Sequence, residues 1–197
     1  MMTAYKLACL LALAAYAISG RANADSNDAK KPQPSPYKDK PHAIPGTIEA
    51  EHFDEGGPSV AYSDVDEVNH GAAYRGITHV DIEQRSDASN GYGVGWARAT
   101  EWLIYTIDVK ASGVYTIEIP VASQKKGGVF HLEVGGKDIT GPTQIPDTGA
   151  WTKLEMIRVE KVSLEKGKHA LKLVMDTNGE SGAIGDIDCL RFALAEK

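Results

Sequence analysis

The chain has 197 residues, a formal net charge of −6, 42% hydrophobic and 24% charged residues, 20 glycines and two cysteines. This is apolar content enough for one globular domain with extensions. The acidic balance argues against nucleic acid or an anionic membrane surface as partner.

The N-terminus reads as a targeting segment. Lys6 precedes an almost unbroken apolar run from Leu7 to Ile18, and Ala22-Asn23-Ala24 supplies a small-x-small cleavage pattern. The run is too short to span a bilayer, so residues 1–24 are expected to be a cleaved secretory signal, with the mature chain outside the cell or in a periplasm. Cleavage would remove Lys6 and Arg21 and no acid, leaving a more acidic chain. Cys9 would leave with the signal. Cys189 then has no disulfide partner within the chain, and its setting in Ile187-Asp188-Cys189-Leu190-Arg191-Phe192 predicts a buried, inert thiol.

Residues 25–45 carry Pro32, Pro34, Pro36, Pro41 and Pro45 among lysines and polar residues, without hydrophobic periodicity, which predicts an extended linker. The domain is expected over 46–195. Ile48-Glu49-Ala50-Glu51-His52-Phe53 alternates like a strand, and residues 54–79 read mostly as loop. Val80 to Glu83 is a short strand. In Trp102 to Val109, the side chains of Leu103, Tyr105, Ile107 and Val109 share a face. After the Ser112-Gly113 turn, Tyr115, Ile117, Ile119 and Val121 do the same. Phe130, Leu132 and Val134 alternate after Gly127-Gly128. Strands are also expected over Leu154 to Val162, through Leu171, Leu173 and Met175, and over Ile187 to Ala193. Short strands separated by glycine turns predict an all-β fold, a β-sandwich jelly roll of two antiparallel sheets.

Enzyme signatures are absent from the sequence. There is no Gly-x-Ser-x-Gly elbow and no His-Glu-x-x-His helix, and the six histidines show no metal-ligand spacing. A carboxylate pair doing glycosidase work is a spatial arrangement, so a small secreted polysaccharide hydrolase stays open as an alternative. Asp64-Val65-Asp66-Glu67-Val68 fails the EF-hand spacing and reads as a solvated acidic loop. Gly91-x-Gly93-x-Gly95 has no helix behind it to hold a pyrophosphate. Two aromatics follow glycine-rich turns: Tyr92 and Trp151. Each reads either as one wall of a sugar-stacking platform or as a core ring beneath a loop. Trp96, Trp102 and Tyr105, in or beside a strand, are expected to pack.

Eight stretches occur in order along the chain: Ile48-Glu49-Ala50-Glu51, Ala73-Tyr74-Arg75, Val80-Asp81-Ile82-Glu83, Gly91-Tyr92-Gly93-Val94-Gly95-Trp96, Glu101-Trp102-Leu103-Ile104-Tyr105, Val121-Ala122-Ser123, Thr148-Gly149-Ala150-Trp151 and Asp188-Cys189-Leu190-Arg191-Phe192. Together they resemble the family 6 carbohydrate-binding modules, over nearly all of Ile48 to Phe192. The resemblance implies a non-catalytic jelly roll that binds polysaccharide (xylan, β-glucan or agar-like chains) in a loop cleft walled by Tyr92 and Trp151. It implies a hydrogen-bonding asparagine just before the last strand, where this chain has Asp186, and it makes Glu83 a candidate at the cleft edge. A carboxylate only accepts hydrogen bonds, whereas an amide does both, so this departure bears on specificity and leaves an adhesion domain with a decayed cleft as a further alternative. A second departure is Leu154, where a tryptophan often stands. The resemblance also implies a structural Ca2+ held by Glu49, Glu51 and Asp188; the two glutamates are two apart in a strand and so share a face. The expected module is a monomer with no nucleic-acid or membrane partner.

Overall fold

The computed structural model describes residues 31–195. The expected signal peptide and the first part of the expected linker lie outside the described residues. Fourteen strands follow one another: β1 (His42–Ile44), β2 (Gly46–Glu49), β3 (Tyr62–Ser63), β4 (Ile82–Gln84), β5 (Tyr92–Val94), β6 (Trp102–Val109), β7 (Gly113–Ala122), β8 (Val129–Val134), β9 (Lys137–Asp138), β10 (Thr143–Gln144), β11 (Glu155–Leu164), β12 (Gly167–Thr177), β13 (Asp186–Ile187) and β14 (Cys189–Leu194). They form two sheets of seven strands each. One runs β1-β6-β12-β8-β10, with β3 on β6 and β9 on β8. The other runs β2-β14-β7-β13-β5-β4, with β11 on β7. All pairings are antiparallel except β1 with β6. The fold is the expected β-sandwich. Among the described residues no helix is long and apolar enough to cross a membrane.

The pleat explains the layering. In β6, Leu103, Tyr105, Ile107 and Val109 are buried while the intervening residues are half-buried, so period-two alternation turns one face inward. Tyr115, Ile117, Ile119 and Val121 of β7 and Leu171, Leu173 and Met175 of β12 supply facing layers. Each fully buried side chain of this size contributes roughly 1.5–3 kcal/mol. Tyr105, fully buried, keeps its hydroxyl satisfied by donating to the Ala50 carbonyl at 2.7 Å. Trp102, on the other face of β6, lies under the Lys172 ammonium at 4.6 Å.

The structure moves two boundaries. The expected linker over 25–45 ends earlier: from Pro32 the chain belongs to the compact unit. Ser35 exchanges backbone hydrogen bonds with Glu55 at 3.0 and 2.7 Å, Tyr37 stacks on His52 at 4.2 Å, and His42–Ile44 pairs with Ile107–Val109. Proline removes only its own N–H donor, and an edge strand lying between prolines tolerates that. The expected last strand is broken at Asp188. β13 lies beside β5 and β7, and β14 then shifts to pair with β2, Cys189 opposite Glu49. At the break the Asp188 N–H donates to the Pro120 carbonyl and its carbonyl accepts from Ala50, which leaves its side chain for the neighbouring loop.

Candidate functional site

The site grows from the edge of the second sheet. In β5 the core-facing residue is Val94, opposite Ile82 of β4 and Ile187 of β13. The other face of β5 carries Gly93, and Gly95 follows just past the strand's end. Glu83 of β4 pairs opposite Gly93, and directly opposed residues share a face. The glycines therefore leave a trough. A Cβ on Gly93 would stand 3.3 Å from Arg85 Cδ and 3.0 Å from the Ile187 carbonyl oxygen; one on Gly95 would stand 3.2 Å from Asp186 Oδ1. The glycines let side chains from the strands on either side converge across β5, and the Gly-x-Gly spacing serves that close approach.

Arg85 lies in the trough with its side chain 2% exposed. Nη1 donates to Glu83 Oε2 at 2.7 Å and to Asp186 Oδ2 at 2.6 Å. Nη2 donates to Asp87 Oδ2 at 3.0 Å and to the Trp151 carbonyl at 2.6 Å, and Nε to Asp87 Oδ1 at 3.1 Å. All five N–H donors of the guanidinium are thus engaged. Asp186 is raised above the usual carboxylate range, first by burial and then by repulsion from Glu83; Arg85 opposes both.

Two tryptophans stand over this floor. Trp96 follows Gly95 in a left-handed conformation (φ 51°) that is uncommon for a bulky residue, and it is 43% exposed. Trp151 is held by the turn before it. Asp147 Oδ1 accepts from the N–H of Gly149 at 2.8 Å and of Lys125 at 3.0 Å, and the buried Thr148 hydroxyl accepts from the Ser123 N–H at 3.0 Å. Trp96, Trp151, Glu83, Asp186, Ser181 and Ala183 line a cavity of about 290 Å3.

Of the four sugar-site candidates, the structure brings Trp151, Asp186 and Glu83 together and leaves Tyr92 outside. Tyr92 is half-buried against the core, its ring 4.3 Å from that of Tyr74. Tyr74 continues through His52 to Tyr37 as a run of neighbouring rings. Tyr92 shares its strand face with Val94, two residues on, so the pleat turns it inward. Trp96, expected to pack, lines the cavity instead. Arg85 and Asp87 went unread in the sequence. Their signal is the Glu83-x-Arg85-x-Asp87 spacing, acid, base and acid at alternate positions that start in β4 and run past its end.

The second cluster lies where β2 meets β14. Ser89 Oγ donates to Glu49 Oε2 at 2.7 Å and lies 3.1 Å from Asp188 Oδ1, which also accepts the Ser89 N–H at 3.0 Å. Ligand atoms of Glu49, Asp188 and Cys189 lie within 4.8 Å of one another. Glu51 is fully buried; Oε1 accepts from Asn90 Nδ2, and Oε2 has no hydrogen-bond partner. Burial pushes Glu51 up to about 6, with Glu49 and Asp188 adding repulsion, and burial raises Glu49 as well. Crowded carboxylates with an orphaned buried oxygen suit a hard cation that takes oxygen ligands. The Cys189 thiol does not. Burial pushes it up to about 12, so it stays protonated, 3.4 Å from Asp188 Oδ2.

Comparisons with known proteins agree with this architecture. The family model described as carbohydrate binding module (family 6) matches residues 70–193, and the chain belongs to that family. Among solved structures, a module of Cellvibrio mixtus lichenase 5A in complex with cellotriose is 25% identical, with a TM-score of 0.57, covering 78% of this chain and 99% of that one. The C-terminal module of a marine laminarinase from Zobellia galactanivorans is 25% identical, with a TM-score of 0.57, over 75% and 98%. A β-1,3-glucan-binding module from Bacillus halodurans, 20% identical with a TM-score of 0.59, shares the fold over 78% and 98%. The clotting factor G alpha subunit of Tachypleus tridentatus is 33% identical over 101 residues; these are 50% of this chain and only 15% of that relative's length. Non-catalytic carbohydrate binding is the function that this family membership carries.

Proposed function

We propose that the chain binds a polysaccharide in the cavity between Trp96 and Trp151, holds it without cleaving it, and acts outside the cell or in a periplasm as a monomer. The carrying observation is the pair of tryptophans lining one cavity above the Glu83–Arg85–Asp186 floor. Tryptophan faces stack on the C–H faces of pyranose rings and exclude water there. Glu83 and Asp186 accept hydrogen bonds from ring hydroxyls. Arg85 holds both carboxylates in place before any ligand arrives, so their ordering is not charged to the binding step. The cellotriose and β-1,3-glucan named for the related modules make β-linked glucans the first ligands to try. The N-terminal targeting pattern supports export.

Glu49, Glu51 and Asp188 are the residues that would hold Ca2+. Bound Ca2+ would offset two of the three carboxylate charges and give Glu51 Oε2 a partner, at a cluster that Ser89 and Asn90 already tie to the 85–91 loop.

Affinity electrophoresis in glucan-containing gels, with the soluble fraction assayed for released sugar, tests the reading. Retention without product, lost in Trp151→Ala, is expected. Release of oligosaccharides would support the hydrolase alternative, and unretarded migration in every polysaccharide would support a decayed cleft.

A further inference from the structure

We infer that the cleft is built for a cationic amino sugar, a glycan carrying protonated 2-amino groups, whose ammonium sits on Glu83 and Asp186. This rests on the carbohydrate-binding reading above and names the class of sugar.

Three carboxylates, Glu83, Asp87 and Asp186, share one guanidinium. Beneath the cavity the count of charges is therefore acid-rich. The positive charge is also hidden. Arg85 is nearly fully buried, and its five N–H groups are spent on Glu83, Asp186, Asp87 and the Trp151 carbonyl. It has no donor left for a ligand. Two of the carboxylates, Glu83 and Asp186, line the cavity, the Glu83 side chain 27% exposed and that of Asp186 6%. The floor side chains offer acceptors and negative charge. A neutral sugar hydroxyl can donate to such a floor, but to accept in return it must turn to the Ser181 hydroxyl or an indole N–H elsewhere in the lining. A uronate or sulfated sugar meets repulsion. An ammonium brings three donors and a full positive charge, and charge-assisted hydrogen bonds are roughly twice as strong as neutral ones. The walls agree with this choice, because tryptophan faces attract cations as well as C–H groups. Within the cavity it is an aspartate at 186, in place of an amide, that tips the balance from hydroxyl recognition towards a cation.

The test is calorimetry on the full domain with glucosamine oligosaccharides, their N-acetylated counterparts, cello- and laminari-oligosaccharides, and galacturonate oligosaccharides of equal length, at near-neutral pH and low salt. The glucosamine oligomer should bind on the order of tenfold tighter than any neutral oligomer, the difference one charge-assisted contact makes. N-acetylation should erase the preference, and raising salt should shrink it. Within Asp186→Asn the amine-to-neutral ratio should fall towards one. Glu83→Gln should do the same, so a folding defect in either variant leaves the other to decide. Neutral oligomers bound as tightly as the amine would overturn the inference and leave the carbohydrate reading standing. Amine binding that survives Trp96→Ala would also overturn it, as general attraction of a polycation to an acidic surface. If no glycan of any charge binds, the carbohydrate reading itself fails.

Discussion

Arg85 Nη1 lies 2.6 Å from Asp186 Oδ2, across 101 positions of chain. The contact joins the strap after β4 to the strand before the Glu49–Asp188 cluster, and it crosses a trough that exists because glycine stands at 93, in β5, and at 95, just past it. Removing Arg85 strands Glu83, Asp87 and a buried Asp186 without their counter-charge. Breaking one side of such a buried arrangement costs about 3–5 kcal/mol. Arg85→Met should therefore lower stability by that order in urea unfolding. Asp186→Asn should cost much less, because an amide oxygen still accepts from Nη1. The double variant should recover part of the Arg85→Met loss. Equal losses in the two single variants would contradict this arrangement.

Glu51 should report the ion. A cation bound only by the folded chain stabilises it by about 2.7 kcal/mol at a free concentration a hundred times Kd. Melting in Ca2+ should exceed melting in chelator, and Glu51→Gln should erase the difference. In chelator the variant should melt no lower than the parent, since it removes a buried carboxylate with an unpartnered oxygen. A chelator effect that persists in Glu51→Gln would exclude this residue from the shell.

Glu101 sets a pH dependence of its own. It is 7% exposed, and its oxygens accept from the N–H groups of Arg98 at 3.0 Å and Val65 at 3.4 Å. Burial first, with Asp64 and Asp81 adding repulsion, pushes it up to about 7 from 4.5. A raised folded value means that between these limits the native chain binds the proton that the unfolded chain releases, so this group's contribution to stability falls as pH rises through the window. The melting-temperature difference between parent and Glu101→Gln should fall from about pH 4.5 to about pH 7 and then level off. A flat difference across that window would contradict the assignment.

Tyr92 should behave as a packing residue. Its ring lies on Tyr74 and against the core. Tyr92→Ala should cost roughly 2–4 kcal/mol of stability, in the range for truncating packed aromatics less an allowance for its half-exposure. Tyr92→Phe should keep both the fold and glycan retention. Loss of retention in Tyr92→Phe with an unchanged melting temperature would return Tyr92 to the cleft.

The sandwich was legible because β6, β7 and β12 are long enough for the pleat to write itself as alternation. β1 was hidden among prolines, since three residues at a sheet edge carry too little pattern. The break at Asp188 was hidden because a strand that changes partner keeps its apolar rhythm. Trp151, Glu83 and Asp186, singled out by their places in the family-like segments, come together around one cavity. Tyr92 stands outside that cavity, and Trp96, four residues on, lines it. Glycines beside Tyr92 suggest a lifted ring, whereas Gly93 lies in β5 opposite Glu83 and makes room for Arg85. The left-handed backbone at Trp96 that turns its ring outward is set by neighbouring strands and leaves no local mark. Arg85, a charged residue beside short polar ones, looked like surface until its partners from β13 and the Trp151 turn were in place.

Whether Trp96 and Trp151 wall the cleft is read by calorimetry on single alanine variants with one bound oligosaccharide. Loss of a stacking face should weaken binding by about 1–3 kcal/mol, by analogy with base–aromatic stacking. A loss of this size is expected in both Trp96→Ala and Trp151→Ala, with melting temperatures near the parent's. Undiminished affinity in Trp96→Ala, with the fold intact, would contradict it.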